Sequence, residues 1–319
     1  MPVYNGERFM SDCLSYINNQ VYKNIEVIFI NDCSIDNTLT KLRELEKKNV
    51  LAMTVISNPQ NRGTGYSRNV GMTVAKGDYV FFMDQDDEIT SDCISTLVED
   101  AINYDLPDIV VGGGEFGEYP INILSKKYYN NNESVRHSYF THEWYEMPWN
   151  KLIRRDFLLN NKLFFVEGIF YEDSPWSFST ALQASTIFLE PKITYIFKHP
   201  ITQKTATKDL EKITEEKLKC YEAMFDIAHK AQRNKGALLY VMGLVDTYLL
   251  LVMQQLLSIS IKKDAYRRIR ALHNINDIKL AYSSATFPRG IKALLLYRLI
   301  PNWIGFYYTC VFQKLCKYR

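Results

Sequence analysis

Four carboxylates crowd into five positions at Asp84, Asp86, Asp87 and Glu88, at the end of the stretch YVFFMDQDDE. Like charges this close repel one another strongly. A hard divalent cation relieves the crowding, because Mg2+ and Mn2+ take oxygen ligands: one or two carboxylates, completed by phosphate and water. Asp84 and Asp86 have the Asp-x-Asp spacing, so one carboxylate can hold Mn2+ or Mg2+ while the other orients a water or a sugar hydroxyl. Three letters recur by chance; the apolar run 79–83 in front of them gives the motif its force. A second acidic pair, Glu172 and Asp173, follows the run 169–171 and precedes a helical pattern. A helix N-terminus favours an ionised carboxylate, which can take a proton from a hydroxyl. Both residues can equally be ordinary first-turn acids.

Positioning these groups requires a scaffold, and the first hundred residues supply one. The segments 25–30, 52–57, 79–83 and 108–111 read as mostly buried strands. Between them lie helical stripes: Phe9, Cys13, Leu14 and Ile17; then Leu39, Leu42 and Leu45 after Asp36 as N-cap; then Ile94, Leu97, Val98 and Ala101 after Ser91. Strand and helix alternating at this spacing predict βαβ units, an α/β fold and a mainly parallel sheet. Ligands of such sheets sit beyond the carboxyl ends of the strands. Residues 2–5, 31–34, 58–62 and the acidic cluster all fall there.

The segments PVYNGERF, IEVIFINDCSIDNT, NRGTGYSRNVGMTVAKGDYVFFMDQDD, WNKLIRRDFL and FVEGIFYEDSPWSF occur in this order over about two-thirds of the chain. Together they resemble the family 2 glycosyltransferases of GT-A fold. The resemblance implies a Rossmann-like, mainly parallel sheet flanked by helices, and an inverting transferase that uses Mn2+ or Mg2+. It implies donor contacts at Pro2, Val3, Tyr4, Glu7, Asp32, Arg68, Asp84 and Gln85. Asp32 would accept from a uracil imide, which makes the donor a UDP-sugar, and Arg68 would face phosphate or hydroxyls with its fork of donors. Arg68 reads alternatively as a helix arginine paired to an acid. Asp86 would hold the metal, and Asp173 would be the base with Glu172 beside it in the acceptor pocket. Some relatives carry a histidine as an extra metal ligand where His199 lies; a loop histidine making one hydrogen bond is the plainer reading. Trp149, Asn150 and Lys151 would border the acceptor, with Trp149 offering a face to a sugar ring or filling the core instead. The family usually has glycine where Cys33 stands, so the loop backbone there is in question.

The resemblance divides the chain into a nucleotide-sugar half (1–112), an acceptor half (113–207) and a C-terminal helical region (208–319). The tract 113–146 reads as loop, carrying acceptor specificity. With 38 basic and 36 acidic residues and a net charge of +2, the composition argues against a nucleic-acid partner. The six cysteines form no Cys-x-x-Cys pair and read as reduced thiols of a cytoplasmic protein. Segment 237–258 approaches membrane-spanning length, but Asp246, Gln254 and Gln255 interrupt it, which favours a buried helix packed on the catalytic domain. Segment 288–319 mixes Trp303, Phe306, Tyr307 and Tyr308 with basic residues. That suits peripheral contact with an anionic inner-membrane surface or a buried terminal helix. The expected acceptor is a saccharide, free or lipid-linked, in surface or capsular polysaccharide synthesis. Two rival readings remain. Gly112, Gly114 and Gly117 spell a dinucleotide fingerprint, which would make an NAD-dependent dehydrogenase. A non-catalytic nucleotide-binding homologue is the other. Relatives carry a short apolar strand before the Pro-Val-Tyr-Asn motif, so the native protein is expected to begin several residues earlier.

Overall fold

The computed structural model describes residues 1–48, 51–115, 123, 125–198, 209–231, 234–281 and 295–316. The chain forms two compact units: Met1–Gly168 with Glu172–Thr202, and Ile169–Tyr171 with Gln203–Arg319.

The first unit starts with β1 (Pro2–Val3), α1 (Met10–Asn18), β2 (Glu26–Asn31), α2 (Thr38–Lys48), β3 (Ala52–Ser57) and α3 (Gly63–Val74). The strands form a parallel sheet in the order β1-β2-β3, with β2 and β3 paired from Glu26↔Ala52 to Asn31↔Ser57. Sequence pattern explains this. β2 buries Val27, Phe29 and Ile30, and α1 buries Met10, Cys13, Leu14 and Ile17, one stripe at helical spacing. Asp36 Oδ1 accepts from Thr38 N at 3.0 Å, the predicted cap at the start of α2.

The chain continues through β4 (Tyr79–Phe81), β5 (Glu88–Ile89), α4 (Cys93–Asn103), β6 (Ile109–Glu115), β7 (Lys127–Tyr129), α5 (Asn132–Phe140), β8 (Lys151–Arg154), α6 (Arg155–Asn160), α7 (Asp173–Gln183) and β9 (Ile187–Ile196). These strands build a second sheet in the order β4-β8-β6-β9-β5, with β7 on β9. β6 and β9 are parallel, and the other pairs are antiparallel. The α/β class and flanking helices are as expected; the parallel pattern is concentrated in the first sheet and in the β6–β9 pair.

Two expectations change here. The tract 113–146 is not simply loop: it contains the end of β6, β7 and α5, the last capped by Asn131, which accepts from Ser134 N at 2.9 Å. Gly112 and Gly114 lie inside β6, whereas a dinucleotide fingerprint needs a strand-to-helix turn; Gly117 lies outside the described residues. The β6 glycines answer to close packing. A Cβ on Gly112 would stand 2.3 Å from Thr194 Oγ1, and one on Gly113 2.6 Å from the Pro191 carbonyl.

An aromatic core holds the crevice end of this unit. Phe165 stacks on Trp176 at 4.4 Å, and Phe82 meets both rings edge-on at 5.5 and 5.6 Å. Such pairs contribute beyond their buried area, about 0.5–1.5 kcal/mol each.

The second unit is helical: α8 (Leu210–Lys230), α9 (Lys235–Gln254), α10 (Ile259–Leu272), α11 (Ile275–Ala281), a π-helical turn (Leu295–Leu299) and α12 (Asn302–Cys316). Asp209, Asn234 and Ser258 cap α8, α9 and α10 through their side chains. α9 is long and apolar enough to cross a membrane, and half of its most apolar window is buried. It packs against α8, α10, α11 and α12 of its own unit, as a core helix does.

Candidate functional site

Four loops and one helix start converge at the carboxyl ends of the first strands. Loops 4–7 and 31–38 are zipped together. Asn5 N donates to Ser34 Oγ at 3.0 Å, Gly6 N to Thr38 Oγ1 at 2.9 Å, and Ile35 N to Asn5 Oδ1 at 3.0 Å. Glu7 braces the same junction, accepting from Asn37 N at 3.3 Å and pairing with Lys41 at 3.5 Å. Cys33 sits in this loop with φ +60°. The thiol residue therefore adopts the left-handed conformation that glycine takes at least cost. Pro2 and Val3 are buried in β1; Tyr4, 41% exposed, is the residue of that strand end open to a ligand.

Asp32 is buried, and protein donors surround its carboxylate. Asn58 Nδ2 reaches Oδ1 at 2.8 Å, Arg62 N reaches both oxygens at 3.0 and 3.2 Å, and Gly63 N reaches Oδ2 at 2.7 Å. From the end of β2 it thus caps α3, an N-terminus suited to an acidic partner.

The acidic loop after β4 is tied to the first loop by one side chain. Gln85 Oε1 accepts from Tyr4 N at 3.1 Å, and its Nε2 donates to Tyr4 O at 3.2 Å. Asp84, Gln85 and Asp86 are half-buried, and Asp87 is buried. Tyr195 donates to Asp87 Oδ2 at 2.6 Å and accepts from Asp84 N at 3.2 Å. Burial, followed by the repulsion of Asp84, pushes the Asp87 carboxyl up to about 8, against the pull of the Tyr195 hydroxyl. Among the described residues no three His, Cys, Asp or Glu side chains stand close enough to enclose a metal. The donor set nevertheless fits a hard cation, which needs only one or two carboxylates when phosphate and water complete its shell. His199 lies outside the described residues.

Arg68, on α3, joins this loop to the start of α7. Its Nη2 donates to Asp84 Oδ1 at 2.9 Å, and its Nη1 to Asp173 Oδ1 at 2.7 Å and Glu172 Oε1 at 3.2 Å. Burial opposes the guanidinium charge; Asp173, Asp84 and Glu172 overcome that and raise its pKa. This corrects the expected donor-facing fork: Arg68 is buried and spends its terminal nitrogens on protein carboxylates. The structure thus brings Asp84, Arg68, Glu172 and Asp173 into one cluster.

Trp149, Asn150 and Lys151 do not border an open site. Trp149 is 3% exposed, stacked on Tyr195 at 4.5 Å and 9°, so its ring belongs to the core. Asn150 is fully buried; its Nδ2 donates to Gly113 O at 2.7 Å, and its Oδ1 accepts from Thr194 at 2.8 Å. Lys151 is buried with its ammonium 3.9 Å from the Tyr145 ring centre. Burial draws its pKa well down, while Asp173 and Glu146 pull it back. Tyr195 went unremarked in the sequence: it holds the acidic loop from 111 positions away, a separation that local pattern does not carry. A hollow of about 410 Å³ on α3, lined by Tyr66, Asn69, Phe164 and Glu167 among others, contains none of the clustered residues.

The profile of glycosyl transferase family 2 matches residues 1–160. The uncharacterized glycosyltransferase EpsJ of Bacillus subtilis is 28% identical over 210 residues, 62% of this chain and 59% of that protein. Glycosyltransferase GlyA of Streptococcus pneumoniae is 34% identical over 134 residues, 40% of this chain and 19% of that protein. The chain thus spans less than two thirds of either relative. Among solved structures, S. aureus TarS 1–349 in complex with UDP-GlcNAc superposes with a TM-score of 0.71 at 18% identity, covering 93% of this chain and 88% of that one. Mannosyltransferase PcManGT from Pyrobaculum calidifontis, in complex with GDP-Man and Mn2+, gives 0.55 at 15% identity over 98% and 86%. The likeness to these structures is one of fold, the expected GT-A arrangement with helices after it.

Proposed function

Since the chain belongs to glycosyl transferase family 2, we propose that it transfers a sugar from a nucleoside-diphosphate donor, with UDP as the nucleotide, to a saccharide or lipid-linked acceptor. The observation that carries this reading is the Arg68 bridge. One guanidinium touches both a carboxylate of the acidic loop and Asp173, so a proton acceptor stands beside the loop where a diphosphate would lie.

In this reading Tyr4 covers the base and Asp32 faces its imide, while the zipped loops hold the ribose. Asp86 would hold Mn2+ or Mg2+, with Asp84 beside it toward the donor ribose or sugar. When bound, the cation offsets the charge that grows on the leaving diphosphate. Asp173 accepts the proton of the acceptor hydroxyl while that oxygen bonds to the anomeric carbon and the diphosphate oxygen departs. Direct in-line attack with one base inverts the anomeric centre. Glu172 anchors the pocket floor.

Two findings support the acceptor side. A poly(ribitol-phosphate) beta-glucosyltransferase of Bacillus spizizenii is among the relatives, 34% identical over 96 residues, 30% of this chain and 15% of that protein, which favours a polymer as acceptor and product. On α12, Trp303, Tyr307 and Tyr308 are 66%, 51% and 46% exposed, which suits a helix lying peripherally on the inner membrane from the cytoplasmic side. Deleting 288–319 is expected to move the protein to the soluble fraction; an unchanged distribution rejects this part.

The test is a screen of nucleotide-sugars for hydrolysis and thermal stabilisation with Mn2+. A UDP-sugar should be turned over and should raise the melting temperature. Stabilisation without turnover would favour a non-catalytic homologue, and a response to NAD would oppose both.

A further inference from the structure

Arg68 is more deeply committed than a site arginine that simply awaits a phosphate. Only 3% of its side chain is exposed. Its three carboxylates come from two segments, 16 positions away at Asp84 and 104 and 105 away at Glu172 and Asp173. The Phe165 ring lies 5.3 Å from its guanidinium carbon, and its buried Nε has no hydrogen-bond partner. Stability alone does not account for this arrangement, because burying a charge of either sign is costly even when it is paired. Nor does tuning of basicity account for it. A cation against a carboxylate makes that carboxylate a poorer proton acceptor. What the arrangement supplies is geometry. Glu172 is buried, with 6% of its side chain exposed, but the Asp173 side chain is 33% exposed and burial does not fix it.

We propose, resting on the transferase reading, that Arg68 is a positioning residue: it bridges Asp173 to Asp84 and so sets the distance between the proton acceptor and the donor-side loop. Glu172 is the buried anchor that fixes the guanidinium plane. Misplacing a reacting group by about 1 Å can cost on the order of 100-fold in rate, so the bridge should show in turnover rather than in donor affinity.

The experiment compares the intact protein with Arg68→Lys, Arg68→Met, Asp173→Asn and the Arg68→Met/Asp173→Asn double variant. Melting temperature without ligand reads the bridge independently of catalysis. Arg68→Met should lower it by roughly 5 °C or more, since three clustered carboxylates then lose the cation between them. Adding Asp173→Asn should raise it again, although Asp173→Asn in the parent lowers it. This reversal of sign is the signature of the bridge. Should Arg68→Met fail to fold, the same cycle with Arg68→Gln decides, because it too removes the charge while leaving a polar side chain. For turnover of the UDP-sugar, Arg68→Lys keeps the charge but not the fork; kcat should fall at least tenfold with donor KM within threefold. Equal shifts from Asp173→Asn in both backgrounds would overturn the proposal. So would Arg68→Lys raising donor KM tenfold at constant kcat, which would place Arg68 on the donor instead. A parent that turns over no nucleotide-sugar but shows the sign reversal refutes the transferase reading and keeps the bridge. An active parent without the reversal refutes the bridge alone.

Discussion

Arg68 in the first unit and Arg268 in the second each meet three carboxylates. Arg268 binds Glu222 with two nitrogens at 2.8 and 2.9 Å, Glu215 at 2.5 Å and Asp264 at 3.9 Å. Its side chain is 20% exposed, and those of its partners are 39–47% exposed. Its partners sit on α8 and on its own helix α10, so the cluster fastens two neighbouring helices. Water shares the charges, and little energy hangs on any single pair. Arg68 draws on a loop and a distant helix start, is buried, and has carboxylates that cannot all be solvated if it is removed. The same residue kit is a fastener in one unit and a candidate functional element in the other. Burial and the origin of the partners separate the two, not the count of ion pairs.

The largest expected effect falls on chemistry. Asp173→Asn should reduce sugar transfer by roughly 100- to 10,000-fold, the range for loss of a positioned base, with UDP affinity nearly intact in a binding titration. The matching change in the second unit, Glu222→Gln, should leave turnover unaltered. Normal transfer by Asp173→Asn would remove the contrast at its root. Stability comes next. Arg68→Met should cost about 3–5 kcal/mol by urea unfolding, as for a broken buried pair. Arg268→Met should cost about 1 kcal/mol or less, shrinking further in high salt. Similar losses would show that burial does not divide the clusters.

A third effect is set by pH. The folded Asp87 carboxyl is raised from 3.8 to about 8, so its contribution is fully present below about pH 4 and is lost as pH rises towards 8. Asn mimics the protonated acid, so in metal-free buffer Asp87→Asn should match the parent near pH 4 and gain on it steadily up to pH 8. A constant difference across that window would deny that burial and the nearby Asp84 raise the Asp87 carboxyl. The smallest effect concerns Cys33. Replacing it by glycine relieves a left-handed backbone costing about 1–2 kcal/mol but adds unfolded-state freedom worth up to about 1 kcal/mol. Melting temperature should hold or rise slightly. Cys33→Val, β-branched, should lower it.

The order of strands and helices in the first hundred residues was legible because each element repeats its own period. β3 falls at 52–57 as expected, although within it only Val55 is buried and the strand is not the mostly buried one the apolar run suggested, and α1 buries the predicted stripe. The crevice loops were legible because strand ends can be located once strands are. The fate of particular side chains was not. Trp149 could serve equally as platform or as core until Tyr195 was seen to lie against it across the sheet. Arg68 has an ordinary helical context, and what removes it from the surface is Glu172 and Asp173 more than a hundred positions on. The β6 glycines matched a nucleotide motif letter by letter, yet the motif's meaning depends on a turn that the strand does not make there.

Those glycines bear on how the protein can vary. Gly112 has no room for even a methyl group, with Thr194 Oγ1 at 2.3 Å and Asn150 Oδ1 at 2.9 Å from where the carbon would sit. In a saturation library, position 112 should therefore return glycine alone until Thr194 and Asn150 are both shortened in the same clone. Gly112→Ala together with Thr194→Ala and Asn150→Ser is the kind of combined step that would open it. Diversity sought for new donors or acceptors is better spent on the half-buried loop residues, where a changed side chain meets solvent rather than a neighbouring strand.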